Sequence, residues 1–293
     1  MKKKTRRILL CSSVLIFLIL GCLAVLFALG YKYDFVQNKF FKTGSFEVGT
    51  NIGAEVYIND ELSGSTSFLG RAFSKGRLLP HTYNVRLQNE DSLPWRKLID
   101  IEAGAFISFP RIVLISEELN EEAVASSSLS NITSIKFDSQ KKAALVSNKR
   151  FLETISLENG QKELPVTLPK AAPSLAGAAN RIKSPDGEKE VWLNKQEIWI
   201  GWLKDTGYQP YKKAGETELI TRFSQKISDV QWYKDSAHLI ADVGGVLKFI
   251  EIDTRGGLNV FDISTVDGPF YYDTDMGAVF KFEGNNLVRV GLK

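Results

Sequence analysis

The chain has 293 residues, 44% of them apolar, including 18 Phe, 9 Tyr and 5 Trp; this excludes a disordered protein and is enough for two buried cores. The formal charge of +3 does not mark a nucleic-acid binder, because five of the 37 basic residues are Lys2, Lys3, Lys4, Arg6 and Arg7, and the remaining 32 face 34 acidic ones. Both cysteines, Cys11 and Cys22, fall in the first apolar run, so the rest of the chain has neither a disulfide framework nor a thiolate metal site.

After the basic tip at 1–7, residues 8–30 carry no formal charge and consist mainly of Leu, Ile, Val, Phe and Ala. A helix of that length rises about 34 Å, enough to span a bilayer. The cationic flank predicts a cytoplasmic N-terminus, and Tyr31, Tyr33 and Phe35 suit the opposite interface. Two other readings of the run stay open. One is a cleaved signal peptide. The other is a lipoprotein signal, since Ile19-Leu20-Gly21-Cys22 resembles a lipobox with Cys22 as the acylated residue. All three place the rest of the chain outside the membrane.

A short amphipathic stalk is expected over 31–42, followed by a β unit over 43–115. Period-two alternation marks strands at 44–48, 54–58, 82–87, 96–101 and 106–115, and together they predict a small antiparallel sandwich. Trp95 reads as a packing residue, with ligand stacking as the alternative.

This segment resembles the PEGA domain, a compact β-sandwich module of prokaryotic envelope proteins. The resemblance lies in Gly53-Ala54-Glu55-Val56-Tyr57-Ile58-Asn59-Asp60, in Gly64-Ser65-Thr66, in Leu79-Pro80-His81-Thr82-Tyr83-Asn84-Val85 and in Ile101-Glu102-Ala103-Gly104. The family usually has Gly, Pro and Gly where this chain has Asp60, Ser67 and His81.

Residues 116–130 turn acidic and Ser-rich and read as a linker, either a solvated connection or a short helix over 117–124. Beyond it, over 131–293, units of about 40 residues recur. Ile135-Lys136-Phe137-Asp138, Ile182-Lys183-Ser184-Pro185-Asp186-Gly187 and Val230-Gln231-Trp232-Tyr233-Lys234-Asp235 each open a unit, and three further strands follow each opening. A shorter unit runs from Pro269 to Val290, and a Pro- and Ala-rich loop is expected over Pro169–Ala179. Four strands per unit is the pattern of propeller blades. Ser184-Pro185-Asp186-Gly187 and Trp232-Tyr233-Lys234-Asp235-Ser236 resemble the hairpin turns of TolB-like and WD-repeat propellers, which implies a propeller-like region of about four blades. The fold class is therefore mainly β behind one transmembrane helix.

No residue stands out as catalytic, cofactor-binding or metal-ligating. His81 and His238 are the only histidines, and no Gly-x-Ser-x-Gly elbow is present. Asp273-Thr274-Asp275-Met276-Gly277 only partly matches an acidic calcium loop, and Gly244-Gly245 and Gly256-Gly257 read as hairpin connections. The expected function is non-catalytic: a single-pass protein of the bacterial cell membrane, its domains outside, binding cell-wall material or an envelope protein without a cofactor. The alternatives are an envelope hydrolase of glycan or peptide with carboxylates in a propeller channel, and a purely structural envelope component.

Overall fold

The computed structural model describes residues 3–138, 142–157, 161–168 and 181–292, and the chain divides into two compact units, residues 1–87 with 97–112 and residues 88–96 with 113–293. The loop expected over Pro169–Ala179 lies outside the described residues.

The first unit begins with α1 (Lys3–Ala28). Its stretch Lys4–Ala28 is long and apolar enough to cross a membrane, and none of it is buried by the protein. Ser12 and Ser13 do not break the apolar run, because their hydroxyls donate back to the Leu9 and Leu10 carbonyls at 3.0 and 2.8 Å. Gly30, in the left-handed region at φ +84°, stops the helix. The segment expected as a stalk is a hairpin of β1 (Tyr31–Asp34) and β2 (Lys39–Lys42). Its base is tied to the helix end by Thr43, whose amide and hydroxyl both donate to the Gly30 carbonyl, at 2.8 and 2.7 Å.

Seven strands follow: β3 (Gly44–Thr50), β4 (Glu55–Ile58), β5 (Glu61–Ser65), β6 (Ala72–Leu78), β7 (His81–Gln88), β8 (Trp95–Ile101) and β9 (Phe106–Ile112). They form two sheets, in the orders β6-β3-β9 and β5-β4-β7-β8. The alternation read from the sequence holds: Phe46 and Val48 of β3, and Ile99 and Ile101 of β8, point into the core. Three features differ from the expectation, one of them the short strand β5, which was not among the expected strands. β3 and β9 pair in parallel, and β6 was not foreseen, its run Ala72-Phe73-Ser74-Lys75-Gly76-Arg77-Leu78 having too little alternation to show. Asn59 and Asp60 both take positive φ, 51° and 66°, the geometry of a two-residue type I′ hairpin. Asp60 thus holds a left-handed backbone conformation that favours glycine.

The second unit consists of four four-stranded sheets. The first holds β11 (Ser134–Asp138), β12 (Ala143–Ser147), β13 (Phe151–Ser156) and β14 (Val166–Thr167). The second holds β15 (Ile182–Lys183), β16 (Lys189–Asn194), β17 (Glu197–Trp202) and β18 (Thr217–Arg222). The third holds β19 (Ile227–Trp232), β20 (His238–Val243), β21 (Val246–Glu251) and β22 (Val260–Thr265). Each is an antiparallel meander in chain order.

The fourth sheet corrects the sequence reading. Its strands β23 (Phe270–Asp273), β24 (Ala278–Glu283) and β25 (Asn286–Gly291) are joined at the outer edge by β10 (Glu121–Ser126), taken from the segment expected to be a solvated or helical linker. β10 contains only Glu, Ala, Val and Ser and lies half-exposed, so composition hid it. It is held by backbone pairing with β25, in a register that sets Glu122 opposite Arg289.

Three hydrophobic clusters join neighbouring sheets. Ile200 and Trp202 pack with Val230 and Leu239 between the second and third sheets. Phe249 and Ile263 pack with Phe270 and Val290 between the third and fourth. Ile135 and Val146 pack with Phe280 and Leu287 between the fourth and first. The result is a mainly β protein with one N-terminal apolar helix and a propeller-like second unit.

Candidate functional site

The propeller-like turns that carried the sequence signal share one construction. In the second sheet, Asp186 Oδ1 accepts the Glu188 amide at 3.0 Å, Gly187 supplies φ +68°, and Asp186 Oδ2 receives the buried Lys189 ammonium at 2.9 Å. In the third sheet, Asp235 Oδ1 accepts the Ala237 amide at 2.8 Å, Ser236 supplies φ +57°, and Asp235 Oδ2 holds His238 Nδ1 at 2.7 Å. Lys189 and His238 thus occupy the same place, the first residue of the following strand. Burial pushes both aspartates up, but hydrogen bonds and the facing side chain outweigh it and both end below the usual range.

The Asp235–His238 pair has the look of a catalytic dyad, but this equivalence argues for turn hardware. His238 is only 3% exposed, its ring stacks on Phe249 at 4.8 Å, and Tyr233 lies edge-on to Phe249 at 5.1 Å. Tyr233 also packs on Tyr272 at 5.2 Å. Burial pushes the Tyr233 phenol up to about 12 and the Tyr272 phenol higher still.

The remaining residues weighed from the sequence are placed plainly. His81 is exposed in β7, edge-on to Tyr83. Trp95 is buried, and its Nε1 donates to Glu251 Oε2 at 3.3 Å, which is a packing position. Asp273–Gly277 forms the β23–β24 turn, with Asp273 Oδ1 accepting the Asp275 and Met276 amides at 2.9 and 2.8 Å. Gly244 and Gly245 make the β20–β21 turn at φ +63° and +86°. Among the described residues, no group of three or more His, Cys, Asp or Glu is placed to hold a metal ion.

A site that sequence reasoning missed lies where the first and fourth sheets meet. An open groove of about 850 Å³ runs between the loop before β11, the β12–β13 turn, the β22–β23 connection and the β24–β25 turn. Asn148 shapes the β12–β13 turn: its Oδ1 accepts the Arg150 and Phe151 amides at 2.9 and 2.8 Å, and its Nδ2 donates to the Ser130 carbonyl at 3.1 Å. The turn therefore presents Lys149 and Arg150 outward on a fixed backbone. Both are exposed, and neither side chain has a carboxylate partner among the described residues. Asp267, Asn285 and the half-exposed Phe151 ring complete the lining. Two cations against the single carboxylate of Asp267, with amides and one aromatic edge, suit an extended anionic chain rich in hydrogen-bonding groups. The signal was available as adjacent basic residues in a polar turn between two apolar strands.

No family model matches the chain, and no curated protein does. Similar solved structures include the β-propeller domain of Myceliophteria thermophila Cps50 (Swd1), at 11% identity and TM-score 0.30, covering 74% of this chain and 68% of that one. Kluyveromyces lactis Hsv2 is similar at 12% identity and TM-score 0.26, covering 69% of this chain and 65% of that one.

Proposed function

We propose that this is a membrane-anchored, non-catalytic binding protein of the bacterial cell envelope, displayed outside the membrane, whose second unit holds an anionic envelope polymer in the groove beside Lys149 and Arg150. The observation that carries the reading is this pair of cations on a fixed turn, without a carboxylate partner among the described residues, in a chain whose N-terminal apolar helix is not buried by the protein. In this reading α1 is an uncleaved span with its basic flank in the cytoplasm, and the strands over 43–115 are a PEGA-like module. The four sheets are propeller blades of the TolB-like or WD-like kind, closed by β10. Closure by β10 is supported by contacts from the strand and from the two residues that follow it, which reach both neighbours of the fourth sheet. Glu121 Oε1 accepts the Ser264 hydroxyl at 2.6 Å from the third sheet, and Glu153 of the first sheet accepts the Ser128 amide at 3.1 Å and the hydroxyls of Ser127 and Ser128.

The test is co-sedimentation of the detergent-solubilised chain with insoluble cell-wall material, with heat-denatured protein as control. Saturable retention of the native form alone is expected; equal retention of both forms, or of neither, contradicts the reading.

One observation favours the hydrolase alternative. Asp229 on β19 stands opposite Asp242 in the register, and burial, with the Asp242 charge adding to it, holds its carboxyl above the usual range. Turnover of wall glycan or peptide that is lost in Asp229→Asn would make this an enzyme.

A further inference from the structure

In the first unit, a groove of about 520 Å³ opens where the last two turns of α1 meet the β1–β2 hairpin. Leu23, Leu26, Phe27, Tyr31, Tyr33 and Phe40 line it, and Arg77 and Lys32 stand at its wall. Arg77 is unusual for a strand residue. Its φ is +58°, a region that favours glycine, and its guanidinium carbon lies 3.6 Å from the centre of the Phe27 ring. The φ belongs to a β-bulge, where Gly76 and Arg77 together stand opposite Ser45 as the β3–β6 register shifts. Neither Arg77 nor Lys32 has a carboxylate partner among the described residues. The nearby acid of the hairpin, Asp34, is engaged by the Val36 and Gln37 amides at 2.8 and 3.3 Å.

An apolar groove continuous with the apolar helix, carrying two unneutralised cations at the helix end, fits a ligand that is apolar along its length and anionic at one end. We infer that it holds one anionic phospholipid, with an acyl chain along Leu23–Phe27 and the phosphate at Arg77 and Lys32. Guanidinium groups bind phosphate oxygens bidentately, and the tyrosine rings sit at headgroup depth in a span that ends at Ala28. The inference rests on the reading of α1 as a membrane span.

The full chain is incorporated into nanodiscs of phosphatidylcholine alone or of an equal mixture with phosphatidylglycerol, extracted in detergent, and its retained lipid counted by native mass spectrometry. Wild type is expected to retain one phosphatidylglycerol, and Arg77→Gly, which suits the positive φ and so preserves the fold, to retain at least about fivefold less. Equal retention by the variant, or equal retention of phosphatidylcholine, overturns the lipid site while leaving the span intact. Failure of the full chain to enter either bilayer overturns the span and the lipid site together.

Discussion

Lys281 Nζ lies 3.0 Å from Glu121 Oε2, joining the fourth sheet to the strand that completes its outer edge. The ammonium is 1% exposed and is further held by Glu283 Oε1 at 2.6 Å and the Thr265 carbonyl at 3.0 Å. Burial pushes the Glu121 carboxyl up, but the Ser264 hydroxyl and the Lys281 ammonium outweigh it, and the net shift is downward. A lowered carboxyl contributes stability that is present above its unfolded value and lost as the pH falls through its folded value. Hydrogen exchange of 121–126 should therefore accelerate as the pH drops below about 4, once corrected for intrinsic exchange. Glu121→Gln should remove that acid sensitivity at a cost under about 1 kcal/mol, because the carboxylate is partly solvated.

Gly44 has no room for a side chain. A Cβ there would stand 2.5 Å from Ile101 Cγ2 and 2.8 Å from the Glu102 carbonyl, whereas one at Gly53 would meet nothing within 4 Å. Gly44→Ala should destabilise the first unit by about 1–3 kcal/mol, and Gly53→Ala should stay within about 0.5 kcal/mol of wild type. Denaturant unfolding of the two variants checks the contrast.

Tyr233 and Tyr272 should be the last phenols to ionise. With the Tyr233 phenol raised from 10.0 to about 12 and Tyr272 beyond it, both remain neutral at pH 11 in the folded protein. A raised phenol contributes stability that is full below pH about 10 and lost as the pH climbs through the folded value. Absorbance at 295 nm should show them titrating only with the loss of near-ultraviolet circular dichroism.

If the groove beside the β12–β13 turn is the binding surface, reversing its charge should abolish wall retention without unfolding the protein. Lys149→Glu combined with Arg150→Glu should lower retention at least tenfold and shift the thermal midpoint little, since both side chains are exposed and have no carboxylate partner among the described residues. Retention equal to wild type would move the binding surface elsewhere.

The strands of the second unit were legible because each inner strand is an apolar run bounded by a turn with its own chemistry. Asp186-Gly187 and Asp235-Ser236 announce the geometry that the structure shows, with positive φ at Gly187 and Ser236. β10 was illegible for the opposite reason: Glu121-Glu122-Ala123-Val124-Ala125-Ser126 has neither β-branched weight nor a buried face and becomes a strand only through β25. β6 was missed in the same way, with Gly76 in its middle. The groove stayed hidden because it is assembled from four connections far apart in sequence, and only the Asn148-Lys149-Arg150 turn carried a local trace. The partnership of His238 with Asp235 was within reach at three residues' separation; what it is for became clear only when Lys189 was found in the same place.

Display of both β units outside the membrane is tested most directly by placing a single reporter thiol in an exposed turn. Lys195→Cys lies in the exposed β16–β17 turn, and the natural Cys11 and Cys22 are replaced by serine to keep the label specific. A membrane-impermeant maleimide added to intact cells should label this thiol as fully as it does after lysis, and the labelled chain should remain with the membrane fraction in carbonate. Labelling only after lysis would put the β units in the cytoplasm and contradict the account.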